Sequence, residues 1–112
     1  MNNTEKIVLE KFRGLLLKRL QVNKIILFGS RARGDAETDS DMDVLVILDE
    51  PVTTEVREAV SDCAWEAGID HLIVVVPVVY SRDEWEEGPE QSSLLALAVQ
   101  REGIGVYENR AR

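Results

Sequence analysis

Hydrophobic residues along this chain alternate between the spacing of a helix and the spacing of a strand. Within residues 4–20 the apolar side chains recur every four positions, which predicts an amphipathic helix. Short apolar runs within residues 24–28 and 43–48 are rich in isoleucine, leucine and valine, and they predict two buried strands. The stripe that defines the first helix consists of Val8, Phe12, Leu16 and Leu20.

A second long helix is predicted after the second strand. Thr53 or Thr54 can cap its start, and its pattern runs to Glu66. Gly68 follows where a left-handed residue commonly ends a helix. We therefore expect Gly68 to adopt a left-handed backbone conformation.

The last third of the chain predicts a third strand over residues 72–80. This run is apolar at nearly every position, which is typical of a strand buried on both faces, and Pro77 restricts it to a sheet edge or a bulge. The elements expected after it are a helical turn at 81–85, a helix at 90–102, a strand at 104–107 and a frayed tail at 108–112. The order of elements predicts an α/β (α+β) fold in one domain over residues 1–112, with a small mixed sheet flanked by helices.

Charge and composition narrow the function classes. The formal net charge of -8 argues against generic nucleic-acid binding through phosphates and suits docking onto a basic partner. A single cysteine, Cys63, cannot form an internal disulfide, and no signal peptide or long apolar span is present, so we expect a cytoplasmic protein that binds no membrane. We interpret Cys63, Trp65 and Trp85 as packing residues, and His71 has no neighbouring ligand set.

Two aspartates at the start of the second strand are the first candidate site. Asp41 and Asp43 lie two positions apart, so in a strand their carboxylates face the same side. Carboxylate oxygens are the ligands that Mg²⁺ prefers, usually together with substrate phosphates. An isolated Asp-x-Asp is more often a solvated turn, so the pair gains weight only from what surrounds it.

A glycine-serine turn after the first strand supplies that context. Gly29 and Ser30 lead from the strand into a helix predicted to begin near Arg31, and backbone N–H groups at such a turn can bind phosphate. Arg31 and Arg33 lie in the part of the motif where a triphosphate would be held, although an arginine at a helix start is more often simply exposed to solvent. For Arg33 we favour a role in binding phosphate or a partner over simple solvent exposure.

Across residues 29–34, Gly-Ser-Arg-Ala-Arg-Gly, and residues 40–43, Ser-Asp-Met-Asp, the chain resembles the minimal nucleotidyltransferase domains of the DNA polymerase β superfamily. The resemblance implies that fold, with Gly29 and Ser30 holding the phosphates of a nucleotide. It also implies that Asp41 and Asp43 are catalytic and bind Mg²⁺, with Mn²⁺ as an alternative, to activate ATP.

One departure from the family pattern concerns a third carboxylate. Active members usually carry one on a later strand, and the resemblance places it within residues 74–76, which are all valine here. Asp70 lies just upstream and would join the metal ligands only if the strand register differed. The segment around Asp70, residues 68–71, also has the composition of a plain connection between helix and strand.

The resemblance to these domains, many of which are antitoxins paired with HEPN-domain proteins, leaves two function classes open. The first is an enzyme that transfers AMP from ATP to a hydroxyl on a partner protein, as the antitoxin of a pair whose toxin is a small helical HEPN-domain protein. The second is a weakly active or inert module that neutralises its partner by forming a complex. A transferase acting on a small molecule is less favoured, because no second domain is expected to build a pocket for it.

Overall fold

A computed structural model describes residues 1–110 of the chain. Its elements in chain order are α1 (Asn3–Arg19), β1 (Val22–Phe28), α2 (Ser30–Arg33), β2 (Met42–Leu48), α3 (Thr54–Ile69), β3 (Val75–Ser81), α4 (Arg82–Glu87), a 3₁₀ turn (Pro89–Ser92), α5 (Leu94–Glu102) and β4 (Ile104–Glu108).

The four strands form one mixed sheet in the order β3-β2-β1-β4. β1 pairs antiparallel with both β2 and β4, and β2 pairs parallel with β3 through the crossover helix α3. This arrangement confirms the predicted fold class. The tail differs from its prediction, because Glu108 pairs with Lys24 of β1; residues 111–112 lie outside the described part.

Alternate residues of β2 belong to the cores on opposite faces of the sheet. Met42 and Val44 pack with the α1 and α3 side chains in the larger core. Leu45 and Ile47 pack in a smaller core with Val99 of α5. Asp43 lies two positions before Leu45 and therefore shares its face, so the Asp43 side chain lies on the α5 side of the sheet.

The prediction that the third strand is buried on both faces was wrong. β3 lies at the edge of the sheet, and β2, beside it, is the strand buried on both faces. Val74, just before β3, is 58% exposed. An unbroken apolar run therefore marked an edge strand here, because burial depends on the order of strands in the sheet.

The edge position of Pro77 is confirmed. The carbonyl of Val74 accepts a hydrogen bond from Met42 N–H of β2. Backbone groups of a strand alternate in direction, so Pro77, three residues later, directs its nitrogen away from β2. The missing N–H therefore costs no hydrogen bond within the sheet.

The end of α3 differs from its prediction. Gly68 is helical, α3 continues to Ile69, and Leu72 takes the left-handed conformation with φ 54°. Gly68 is still needed, because a Cβ there would overlap the carbonyl oxygen of Ile73. The turn delays the start of β3 from residue 72 to Val75.

The helix predicted over residues 90–102 is divided. A 3₁₀ turn precedes α5, and the Ser93 hydroxyl accepts the Ala96 N–H as the N-cap of α5.

Trp85 packs in the smaller core with its ring 5.5 Å from that of Tyr80. Trp65, in contrast, is 68% exposed, so its assignment as a packing residue was wrong.

Cys63 is buried in the larger core, which confirms its packing role. Its pKa is raised mainly by burial, so it remains a thiol.

Within residues 1–110, no helix has both the length and the apolar character that a membrane crossing requires.

Candidate active site

Gly29 forms the turn between β1 and α2. Its φ is +79°, which side-chain-bearing residues rarely adopt, and its carbonyl accepts hydrogen bonds from the Ala32 and Arg33 N–H groups at 3.0 and 3.1 Å. A Cβ at Gly29 would overlap Oδ2 of Asp43. The absence of a side chain therefore lets the turn and the Asp43 carboxylate lie in direct contact.

Asp43 is placed by its register in the sheet. It pairs with Phe28 of β1, the residue before Gly29, and with Val76 of β3. Asp41 lies just before β2 and is exposed, whereas Asp43 is half-buried. The structure thus brings together four of the predicted site residues: Gly29, Ser30, Asp41 and Asp43.

The negative charge of this cluster is only partly compensated by Arg33. Burial raises the pKa of Asp43 first, and the nearby charges of Asp41 and Glu102 raise it further, while Arg33 opposes the shift. A raised pKa means that the ionised Asp43 is held at a cost in the absence of a counter-ion. A cation at this position would relieve that cost.

Arg33 extends from α2 towards α5. Its Nη1 donates to Oε2 of Glu102 at 2.7 Å, and its Nε donates to Oδ2 of Asp35 at 3.2 Å. These hydrogen bonds raise the pKa of Arg33, so it carries a full positive charge. Arg33 is half-exposed beside the aspartates, where it could exchange a carboxylate for a phosphate oxygen.

Arg31 has a structural task, and its expected place beside a triphosphate was wrong. Its side chain is 6% exposed and forms an ion pair with Glu5 of α1 at 3.0 Å. It also donates to the Ser40 carbonyl from Nε at 3.0 Å and Nη2 at 2.7 Å, and to the Thr38 carbonyl at 3.2 Å. Arg31 therefore fixes the loop that leads directly to Asp41.

The third-carboxylate positions lie beside the site and carry valine. Val76, one of the three positions where the resemblance places a third carboxylate, pairs with Asp43 across β2 and β3. Asp70 forms an ion pair with Lys11 of α1 at 3.5 Å, on the side of the sheet opposite Asp43. Asp70 is therefore not brought to the aspartate pair, and His71 lies exposed beside Asp70.

Over residues 1–110 there is no group of three His, Cys, Asp or Glu side chains placed to share a metal ion. Asp41 and Asp43 nonetheless fit a hard divalent cation, since they offer carboxylate oxygens and their mutual repulsion contributes to the raised pKa of Asp43. Protein sites often hold Mg²⁺ with one or two carboxylates and leave the other positions to phosphate and water.

A glycine turn in contact with an aspartate of the neighbouring strand, with a second aspartate just before that strand, is the arrangement that the sequence resemblance predicts for a nucleotide site. The chain belongs to the nucleotidyltransferase domain family, whose model matches residues 9–100.

A relative from Methanocaldococcus jannaschii, MJ0141, is described as a candidate protein adenylyltransferase. It is 32% identical over 62 residues, which are 55% of this chain and 63% of the relative. The chain therefore matches less than two thirds of that relative's length.

Solved structures share the fold. A chain in a toxin-antitoxin crystal structure with AMP-PNP is 20% identical, with a TM-score of 0.62, over 97% of this chain and 76% of that one. A chain from the complex of a tri-AMPylated Shewanella oneidensis HEPN toxin with an MNT antitoxin is 17% identical, with a TM-score of 0.59, over 95% and 74%. At these identities the likeness concerns the fold alone.

Proposed function

We propose that this chain is a Mg²⁺-dependent nucleotidyltransferase, with Mn²⁺ as an alternative cation, that moves AMP from ATP to a hydroxyl group on a partner protein. The observation that carries the proposal is the contact between the Gly29 turn and the Asp43 carboxylate. Phosphates bound by the turn would lie beside both aspartates. Membership of the nucleotidyltransferase domain family supports the same chemistry.

Each residue of the site has a separate task in this proposal. Gly29 and Ser30 bind phosphate oxygens through the backbone at the start of α2. Asp41 and Asp43 hold the cation, which would offset the negative charge of the phosphates when bound. Arg33 leaves Glu102 and Asp35 to contact the triphosphate, because a phosphate oxygen is also a strong acceptor for guanidinium.

The transfer is a displacement at the α-phosphorus. The acceptor oxygen forms a bond to that phosphorus while the bond from the phosphorus to the oxygen that bridges it to the β-phosphorus breaks. Pyrophosphate leaves with the bonding electrons, and the hydroxyl proton passes to solvent. The chain accelerates this step by holding the groups in line and by balancing charge, which are the main terms in related phosphoryl transfers.

The proposed acceptor is a small helical HEPN-domain protein, so that this chain is the antitoxin of a HEPN/MNT toxin-antitoxin pair. The support comes from the structural neighbours: one is a complex of a HEPN toxin carrying AMP groups with an MNT antitoxin, and another contains AMP-PNP. The need for ATP and the free Cys63 thiol agree with a cytoplasmic location.

Neutralisation by complex formation alone is the second candidate function. The observation that favours it is Val76, an apolar residue opposite Asp43 and one of the three valines where the resemblance places a third carboxylate. Two carboxylates without a third hold a cation less firmly, which would slow or prevent transfer. In that case the fold would serve as a docking surface.

Calorimetric titration with ATP, in the presence and absence of Mg²⁺, separates the two candidates. The wild-type chain is compared with the Asp41→Asn, Asp43→Asn double variant and with Asp39→Asn, which removes a charge from an exposed aspartate of the same loop. Mg²⁺-dependent binding that is lost in the double variant and kept in Asp39→Asn supports the transferase. Absence of binding in the folded wild-type chain would overturn it in favour of complex formation.

A further inference from the structure

Helix α5 has apolar side chains on two faces. Ala96 and Val99 are buried against the sheet, with Leu95 packed beside them. Leu94 and Leu97 point outward, 85% and 40% exposed, although they are one turn apart on the same face. Two neighbouring exposed leucines form an apolar patch, and contiguous apolar patches often mark interaction sites.

The outward face continues into a basic end. Arg101 lies one turn after Leu97, and within residues 1–110 its side chain has no hydrogen bond or ion pair. Arg33 approaches from α2 and contacts Glu102 at 2.7 Å. Because Glu102 and Asp35 balance the charge of Arg33, the positive charge of this face comes from Arg101, in a chain whose formal net charge is -8.

These residues line one shallow groove of about 500 Å³, which we call the α5 groove: Arg33, Leu94, Leu97, Ala98, Arg101 and Glu102. Arg33 donates its backbone N–H to the Gly29 carbonyl at 3.1 Å, and Gly29 is the residue that contacts the Asp43 carboxylate. The α5 groove therefore adjoins Asp43, because Arg33 both lines the groove and contacts the Gly29 turn. A side chain bound in the groove would be next to the proposed nucleotide.

We propose that the α5 groove docks the segment of the partner protein that carries the acceptor hydroxyl. The segment places an apolar side chain against Leu94 and Leu97 and a carboxylate on Arg101, which leaves its hydroxyl directed at the aspartate pair. This inference rests on the proposed transferase function, because that function requires an acceptor beside the nucleotide. The acidic remainder of the surface suits a partner that is basic elsewhere.

A charge exchange tests the docking surface. Two tyrosine peptides, Ac-Gly-Glu-Leu-Leu-Tyr-Gly-NH₂ and its Glu-to-Lys counterpart, are titrated into the ¹⁵N-labelled chain, and dissociation constants are taken from amide shifts. The Arg101→Glu variant should bind the acidic peptide more weakly and the basic peptide more tightly. Each dissociation constant should change by about threefold to tenfold, as expected for an exposed charge pair. Lys18→Glu on α1 is the matched control, since it changes the net charge equally at another exposed position.

The apolar part is tested with Leu97→Ser and its control Leu17→Ser. Leu17 is 38% exposed on α1, on the opposite side of the sheet, against 40% for Leu97. Of these two variants, only Leu97→Ser should bind both peptides more weakly, with dissociation constants raised about fivefold by the lost apolar contact. Equal effects of Arg101→Glu and Lys18→Glu would overturn the proposal, as would a dimer in sedimentation that Leu97→Ser dissociates, because a second copy would then occupy the groove.

Titration of ATP and Mg²⁺ into the same variants separates this inference from the proposed function. If ATP binds but Arg101→Glu does not reverse the preference between the two peptides, the α5 groove is rejected and the transferase function stands. If Arg101→Glu reverses the peptide preference but ATP does not bind, the transferase function is rejected and the groove remains a docking surface.

Discussion

Replacing Arg31 by methionine should destabilise the chain strongly, because Arg31 is the buried link between α1 and the loop before Asp41. The variant leaves the Glu5 carboxylate, 7% exposed, without its ion pair at 3.0 Å. It also removes all the Arg31 hydrogen bonds to the carbonyls of Thr38 and Ser40. Removing one partner of a buried ion pair costs about 3–5 kcal/mol. That is a large share of the roughly 5–15 kcal/mol that stabilises a domain.

Urea unfolding followed by tryptophan fluorescence measures this loss. At an ordinary denaturant slope the midpoint should fall by about 2 M. Arg33→Met is the matched control, since Arg33 belongs to the same helix but its ion pairs are exposed, and its midpoint should change little. The double variant Glu5→Leu, Arg31→Met removes both charges and should recover part of the loss. Equal midpoints for Arg31→Met and Arg33→Met would refute the positioning role of Arg31.

The remaining predictions concern the glycine turn and the aspartate pair. Gly29→Ala should cost about 1–3 kcal/mol and abolish ATP binding, because its Cβ would meet Asp43 at a positive φ; Gly34→Ala, at φ +83° in open space, should cost only about 1 kcal/mol in the same urea titration and keep ATP binding. Equal losses in both variants would show that the contact with Asp43 is unimportant. Because the folded state raises the pKa of Asp43, its contribution to stability is greatest below the unfolded pKa and is lost as the pH rises through the folded one. In EDTA, Asp43→Asn should therefore gain stability relative to the wild-type chain as the pH rises above the ordinary aspartate pKa, and parallel stability curves would contradict the raised pKa.

The strands and the motif turn could be predicted from the sequence because short-range rules determine them. Alternation places Asp43 on the same side of β2 as Leu45 and Ile47, and a glycine at a strand end allows the positive φ that the turn needs. The sequence carries valine throughout residues 74–76, where the resemblance implies a third carboxylate, and the parallel pairing of β3 with β2 places Val76 opposite Asp43.

Other features depend on contacts between distant segments. Glu102 meets Arg33 across 69 positions only because β4 returns beside β1, and no local pattern indicates that contact. The burial of Arg31 could have been suspected, because Glu5 lies on the helical stripe one turn before Val8 and would need a buried cationic partner. The exposure of Val74 follows from the order of strands, which hydrophobicity alone does not encode.

The most direct test of AMP transfer uses ATP labelled at the α- or the γ-phosphate. The chain, Mg²⁺ and each labelled ATP are incubated with a purified HEPN-domain protein from the same organism, and the partner is analysed by autoradiography and intact mass. The account predicts that only the α-label enters the partner, with the mass gain of AMP and with no transfer by the Asp41→Asn, Asp43→Asn variant. A partner that binds the chain but stays unlabelled, or that takes up the γ-label, would contradict it.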